Sequence, residues 1–323
     1  MSLRVIITGG LGFIGSALAR RILADPSVES LLNVDCLTYA GSESNVAAIA
    51  SDPRYRWSRT DLRNRKAVAS LVDFTSPTHI LHLAAESHVD RSISDPDAFL
   101  STNVMGTFHL LEAARLTSGV RFHHVSTDEV FGSIAAPALF TEASPYDPHS
   151  PYSASKAASD HLVRAYHSTY GLATTLTNGS NTYGPRQHAE KFIPTVIRAC
   201  LTRAPIPLYG DGLNVRDWLH VDNHAEAIWL AATRATPGST YLVGGSDERT
   251  NESITTLICR LFDELRPWPG HSHASLITHV TDRPGHDRRY AVDSTRLRLD
   301  LGWRTTRILE EGLRSLVQDA LTP

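Results

Sequence analysis

Lysine is almost missing from this chain: Lys66, Lys156 and Lys191 are the only three among 31 basic residues. A codon bias toward arginine is the plain explanation. A chain that uses arginine almost everywhere also keeps lysine where a compact ammonium is needed, and two of the three fall inside the motifs below. Cysteine is scarce as well. Cys36, Cys200 and Cys259 stand alone, with no C-x-x-C pair, which excludes a disulfide framework and points to a reducing compartment. No apolar run approaches the length of a membrane span, and the opening MSLRVIITGG is broken by glycine too soon for a signal peptide. The expectation is a cytoplasmic protein with no membrane partner. Excess charge is lacking too: a net charge of -3 argues against the basic face that a nucleic acid requires. The histidines are scattered. His271 and His273 lie in a Pro/Gly-rich segment with no carboxylate or cysteine at ligand spacing, so a solvated loop is expected there and no metal site.

What is present is alternation. Short apolar runs at Arg4–Thr8, Leu31–Asp35, His79–Ala85 and Arg121–Thr127 are separated by helical patterns reaching Leu23, over Arg65–Asp73 and over Ala98–Leu116. This reads as an α/β protein with a Rossmann-type, doubly wound parallel sheet. Right-handed crossovers then bring all strand C-termini to one edge, where ligands bind. After about Asn178 the alternation blurs and prolines cluster (Pro185, Pro194, Pro205, Pro207). Residues 1–177 are therefore expected to form the dinucleotide-binding domain, with returning segments from about 215–250. Residues 178–323 are expected to form mainly a smaller α/β domain for the substrate.

The segment ITGGLGFIGSALAR follows the first strand and opens a helix. Gly9, Gly12 and Gly15, with Phe13 and Ile14 between the last two, make the tight turn that lets backbone N–H groups approach a pyrophosphate at a helix N-terminus. Asp35 ends the second strand, twenty residues past Gly15. Its carboxylate suits a ribose diol and repels a 2′-phosphate, which favours NAD over NADP. Asp61 is placed either to meet the adenine or to stand as an ordinary loop aspartate.

Tyr152 and Lys156, in SPYSASK, share one helix face at i and i+4. A free phenol is a poor base, but a nearby ammonium and a nicotinamide cation stabilise its phenolate. It then takes the proton of a substrate alcohol while hydride leaves the same carbon. The stretch HHVSTDEVFGS poses a separate question, because Thr127, Asp128 and Glu129 set a hydroxyl and two carboxyls side by side at a strand end.

Together these motifs resemble the extended short-chain dehydrogenase/reductase superfamily. Within it, VDCLTYAG, HLAAESHVDRSI, TNVMGT, STDEVFGS, SPYSASK, PLYGDGLNVRDWLHVDNH and RPGHDRRYAVD resemble the signature blocks of dTDP-glucose 4,6-dehydratases. The resemblance implies a tightly bound NAD and a nucleotide-sugar substrate. It implies that Thr127 bonds the sugar near O4, Asp128 is the acid and Glu129 the base, the two carboxyls being pushed apart in pKa by their surroundings. It adds Thr38, Leu62 and Thr102 to the cofactor set. To the substrate set it adds Ser87, Asn181, Glu190, Lys191, Tyr209, Arg216 and Arg288, with Arg289 as an alternative to the last. Asn178 and Thr182 depart from the family pattern in a segment expected to line the nicotinamide and sugar. The family commonly dimerises through two helices per subunit, here Ala98–Leu116 and Tyr152–Tyr170. Rival readings are a 4-epimerase or decarboxylase of the same superfamily, which need no Asp-Glu pair, and a non-catalytic dinucleotide-binding regulator, which would have no use for Tyr152 and Lys156.

Overall fold

Val5, Ile6 and Ile7 are consecutive in the first strand and have no solvent exposure. A strand with that pattern needs cover on both faces, and the computed structural model supplies it. The structure describes residues 2–282 and 284–322; Arg283, which heads the RPGHDRRYAVD block, lies outside them. The strands are β1 (Leu3–Thr8), β2 (Val28–Asp35), β3 (Tyr55–Arg59), β4 (His79–His82), β5 (Arg121–Thr127), β6 (Ala173–Gly179), β7 (Asn181–Tyr183), β8 (Ile206–Tyr209), β9 (Val215–His220), β10 (Thr240–Val243), β11 (Glu248–Thr250) and β12 (Ile277–Val280). Seven form a sheet in the order β10-β6-β5-β4-β1-β2-β3, parallel at every neighbouring pair. The helices Phe13–Leu23 and Val221–Arg234 pack on one face through Leu18, Ile22, Ile228 and Trp229. The helices Arg65–Thr75, Gly106–Arg115 and Pro151–Tyr170 cover the other through Val68, Val72, Leu110, Leu111 and Val163. This is the expected doubly wound Rossmann-type layer order.

The smaller part is built on a three-stranded sheet, β11-β9-β7, and a parallel pair, β12-β8. Its core is helical: Ile254, Ile258 and Phe262 make one stripe of the helix Asn251–Leu265 and meet Val196, Cys200, Leu313 and Val317. Between β6 and β7 stands a single residue, Ser180, and β9 runs directly into the helix Val221–Arg234. Both passages lie beside the C-terminal edge of the large sheet.

Three expectations shift in detail. β4 stops at His82 rather than Ala85, because the Thr8 hydroxyl accepts the Leu83 and Ala84 N–H groups at 3.2 Å each and turns the chain out of the ladder. The helix expected over Ala98–Leu116 is interrupted by a π-helical turn, Leu100–Met105, a distortion common at functional sites. Buried Asn103 in that turn reaches back to the N–H and C=O of Glu86 at 2.8 and 3.0 Å. His273 is buried rather than solvated: Asp263, ten residues upstream, accepts its backbone N–H at 3.0 Å and meets its Nδ1 at 2.5 Å.

Candidate active site

A cavity of about 360 Å³ runs along the C-terminal edge of the large sheet, within the usual size of a small-molecule site. One end is the glycine loop. Gly9 has φ +73°, a conformation other residues avoid. A Cβ on Gly15 would come within 2.2 Å of the Gly9 carbonyl oxygen, so the turn closes only without a side chain there. Asp35 is braced against this loop: its carboxylate accepts Leu11 N–H at 3.0 Å and Leu37 N–H at 2.9 Å. Phe13, Ile14, Thr38, Asp61, Leu62 and Thr102 line the same end. Asp61 is held by Arg63, at 2.7 Å to Nη2, and that bond keeps its carboxyl below the usual range. A glycine cradle opening a helix, with a buried carboxylate at the end of β2, fits NAD.

The other end is built from β5 and the helix Pro151–Tyr170. Pro151 at the first turn and a reciprocal Ser150–Ser153 capping box fix where that helix begins. The next residue, Tyr152, is thereby set against the end of β5, with Phe99 edge-on at 6.2 Å. Thr127 caps the short turn Asp128–Phe131 by accepting Glu129 N–H at 3.2 Å. The adjacent carboxyls therefore have a structural origin: they occupy the first two positions of a tight turn, where backbone N–H groups tolerate negative charge. Their surroundings differ. Asp128 is 1% exposed, and burial, then the neighbouring Glu129 charge, push its carboxyl well above the ordinary range. Glu129 is only half-buried and also lines the cavity.

Tyr152 is pushed well above the usual phenol range, by burial first and then by Glu129 and Asp128, while Thr127 opposes the shift. Burial brings Lys156 down to about 8, with Asp160 opposing. Its Nζ donates to the Val125 carbonyl at 2.8 Å and lies 3.3 Å from His124 Nε2. Behind it stands Asp160, at i+4 on the same helix and fully buried. Asp160 Oδ2 accepts from Ser126 Oγ (2.9 Å), Tyr146 OH (2.8 Å) and Asn178 Nδ2 (3.1 Å), while Oδ1 faces His124 Nε2 at 3.3 Å. Burial raises this carboxyl, but His124, Lys156 and Ser126 outweigh burial and hold it low. Asn178 thus does not line the cavity: it is buried behind the Thr127–Glu129 turn, donating to Thr127 O at 3.1 Å. Thr182 does line it, bonded to His224 Nδ1 at 2.8 Å.

Of the residues expected at the substrate, Ser87, Asn181 and Lys191 line the cavity, and Lys191 Nζ donates to Ser87 O at 2.9 Å. Four others are engaged outside its lining. Glu190 takes two 3.0 Å bonds from Arg91 at the rim, and Arg91 in turn covers the Tyr39 ring at 3.8 Å. Arg216 is buried over Tyr290, with Nη2 on Asp287 O at 2.9 Å. Tyr209 is exposed, and Arg288 pairs with Asp211 at 2.8 Å on the surface. Arg289, by contrast, is buried and clamps Glu248 and the Ala138 carbonyl. Asp160 and Asn103 went unread in the sequence. The signal for Asp160 was its spacing, since Tyr152, Lys156 and Asp160 recur every four residues. Asn103 lay beside Thr102 in a block already singled out.

Three comparisons bear on this site. The family described as "GDP-mannose 4,6 dehydratase" matches residues 6–316. A dTDP-glucose 4,6-dehydratase of Neisseria meningitidis serogroup B is 47% identical over 328 residues, covering 98% of this chain and 92% of that protein. Among solved structures, a dTDP-glucose 4,6-dehydratase of Streptomyces venezuelae with NAD bound is 42% identical, with a TM-score of 0.91 over 98% of this chain and 96% of that one. A Thermus thermophilus UDP-glucose 4-epimerase with NAD is 29% identical, with a TM-score of 0.88 over 99% of each chain. The fold is therefore common to dehydratases and epimerases, and the residues at the end of β5 must discriminate between them.

Proposed function

The chain belongs to the dTDP-glucose 4,6-dehydratase family, and from that premise we propose that it removes water from dTDP-glucose to give the 4-keto-6-deoxy sugar. The observation that carries the reading is that the Thr127-Asp128-Glu129 turn lines one cavity together with Tyr152, Lys156 and the glycine cradle. An epimerase has no work for two carboxyls there.

Bound NAD supplies a hydride acceptor for C4 of the sugar and a hydride donor for C6. The chain's own residues handle the protons. Tyr152 takes the proton from O4. Burial, with Glu129 and Asp128 nearby, holds its phenol protonated unless positive charge is near, so its ionisation depends on Lys156 and on the charge that the cofactor brings. The ketone formed at C4 acidifies C5, and Glu129, the less buried carboxyl, removes that proton and later returns it. Asp128, kept protonated by burial, gives its proton to the departing 6-hydroxyl. The separated environments of the two carboxyls support these opposite roles. Ser87, Asn181 and Lys191 are assigned to the nucleotide sugar.

The expected assembly is a homodimer. Leu100, Met105, Leu116 and Tyr170 are large apolar side chains exposed on or beside the helices Gly106–Arg115 and Pro151–Tyr170, a surface suited to a second copy. Cys36, Cys200 and Cys259 are all free thiols, in keeping with a cytoplasmic protein. The direct test is incubation with dTDP-glucose, UDP-glucose and an amino-hexose nucleotide, followed by mass spectrometry. Loss of one water from dTDP-glucose is expected. Recovery of an isomer of unchanged mass instead would identify an epimerase.

A further inference from the structure

The reaction uses NAD and restores it in place, so the cofactor has no reason to leave between turnovers. A site of that kind gains from being closed over its cofactor. Three segments of the chain meet along the cavity. The first leaves β2 and carries Thr38 and Tyr39. The second leaves β4 and carries Glu86 and Ser87. The third follows β7 and carries Gln187, His188 and Lys191. All of these residues line the cavity. A dinucleotide reaching from Asp35 to Tyr152 passes the place where the three are joined.

Arg91, on the short helix Val89–Ser94 beyond β4, does most of the joining. Its fork gives two 3.0 Å bonds to Glu190, and its flat face covers the Tyr39 ring at 3.8 Å. The Tyr39 ring meets His188 edge-on at 5.6 Å, and Lys191 Nζ donates to Ser87 O at 2.9 Å. His88 and His188 flank the same Glu190 carboxylate at 3.7 and 3.8 Å. Both sides of the junction are bent to reach it. Leu37 has φ +55°, with its N–H held by Asp35 at 2.9 Å. Arg186 has φ +70°, and the next residue, Gln187, donates from Nε2 to Thr182 O at 2.8 Å. Residues other than glycine seldom adopt this conformation, and where they do the strain gathers at ligand clamps and switches. The junction is also easy to break. The Arg91 and Glu190 side chains are 42% and 44% exposed, so water competes for the pair.

We propose that Arg91, Tyr39 and Glu190 form a clasp that retains NAD between turnovers, and that the cofactor leaves only when residues 186–191 lift off Tyr39 and Arg91. Arg91 is then a positioning residue: it acts on the cofactor through Tyr39 and Glu190. Glu190, expected at the substrate, has its work at the rim instead. Because exit requires opening, the rate of NAD loss follows the fraction of time the clasp is open. Whatever stabilises the closed form therefore slows loss by the same factor. A clasp of modest strength still opens often enough for the cofactor to be loaded.

The proposal rests on NAD being the resident cofactor, and the experiment separates the two. Protein loaded with radiolabelled NAD is freed of excess by gel filtration and chased with unlabelled NAD, and the label still bound is counted over time. The unaltered chain should carry label and lose it slowly. A chain that carries none would remove the cofactor reading and the clasp with it. Arg91→Ala should lose label ~10-fold faster, the combined scale of one exposed ion pair and one cation–ring contact. Glu190→Ala should speed the loss by less, because the ring contact survives. The double variant should be no faster than Arg91→Ala, since the pair is already broken there. Added salt screens the pair, so it should speed loss more from the unaltered chain than from Arg91→Ala. Arg91→Lys keeps the charge without the flat fork; it should also lose label faster, and it is read in the same way should the alanine variant not fold. Loss at the unaltered rate from folded Arg91→Ala, or single effects that multiply in the double variant, would overturn the clasp while leaving NAD as the cofactor.

Discussion

Replacing Asp160 by Asn isolates one electrostatic contribution, because the hydrogen bonds around it can survive. With the amide oxygen at the Oδ2 position, Ser126, Tyr146 and Asn178 still have an acceptor at 2.8–3.1 Å. The new NH₂ then faces His124 Nε2, which can accept. What disappears is a negative charge behind Lys156, with no large solvent response to mask it in a fully buried site. Lys156 is already down to about 8 through burial, and Asp160 is the group that opposes the fall. An opposite charge at this range is worth ~1–3 pKa units. The sign follows: losing the anion favours the neutral amine, so the ammonium is lost at lower pH. His124, whose imidazole burial and Lys156 push down to about 4, is neutral near pH 7 and does not take over. The alkaline limb of the pH–rate profile should therefore move down by ~1 unit or more, with substrate binding little changed at pH 6. Rates of water loss measured from pH 5.5 to 9.5 decide it. An alkaline limb in the same place, in a variant with normal secondary structure, would mean that Asp160 holds the fold and does not set the charge on Lys156.

Two further outcomes follow from the geometry. Glu129→Gln should still pass hydride to the cofactor, because Tyr152 and Lys156 are untouched. NADH absorbance should then build up while C5 hydrogen exchange with heavy water is lost. Asp128→Asn should keep that exchange and slow water loss instead, and normal C5 exchange in both variants would refute the assignment of the base. Gly15→Ala places a methyl 2.2 Å from a backbone carbonyl, so the loop must shift. The NAD released per chain on denaturation should drop several-fold, and an unchanged ratio would mean that the cradle is not the cofactor's seat.

Four strands of the large sheet, β1, β2, β4 and β5, were legible as short apolar runs, whereas β3 (YRWSR) and β6 (ATTLTNG) are too polar to stand out. Gly9, Gly15 and Asp35 act locally, within a turn or across two neighbouring strands, and local chemistry shows in spacing. The burial of His273 was hidden because its partner Asp263 sits ten residues upstream near the end of the preceding helix, and a histidine bonded to a carboxylate looks no different in sequence from a solvated one. The π-turn at Leu100–Met105 was hidden for a related reason: it is shaped by Asn103 reaching across to Glu86, a tertiary contact that leaves the helical pattern intact. The positions expected to touch the nucleotide are the least legible. Arg216 and Arg288 were both placed in the substrate set by resemblance; one is buried over Tyr290 and the other paired with Asp211 on the surface, and an arginine's charge alone does not reveal its partner.

The chain crosses between the large sheet and the smaller part at Ser180, at His220–Val221, between β10 and β11, and on either side of the helix Thr295–Leu301, whose Leu297 packs with Val243 of β10. Each crossing is a covalent tie, and several ties in parallel restrict rotation more than one does. The Thr127–Glu129 turn and Tyr152 lie on the large sheet's side of every tie, so their spacing is set without reference to the smaller part.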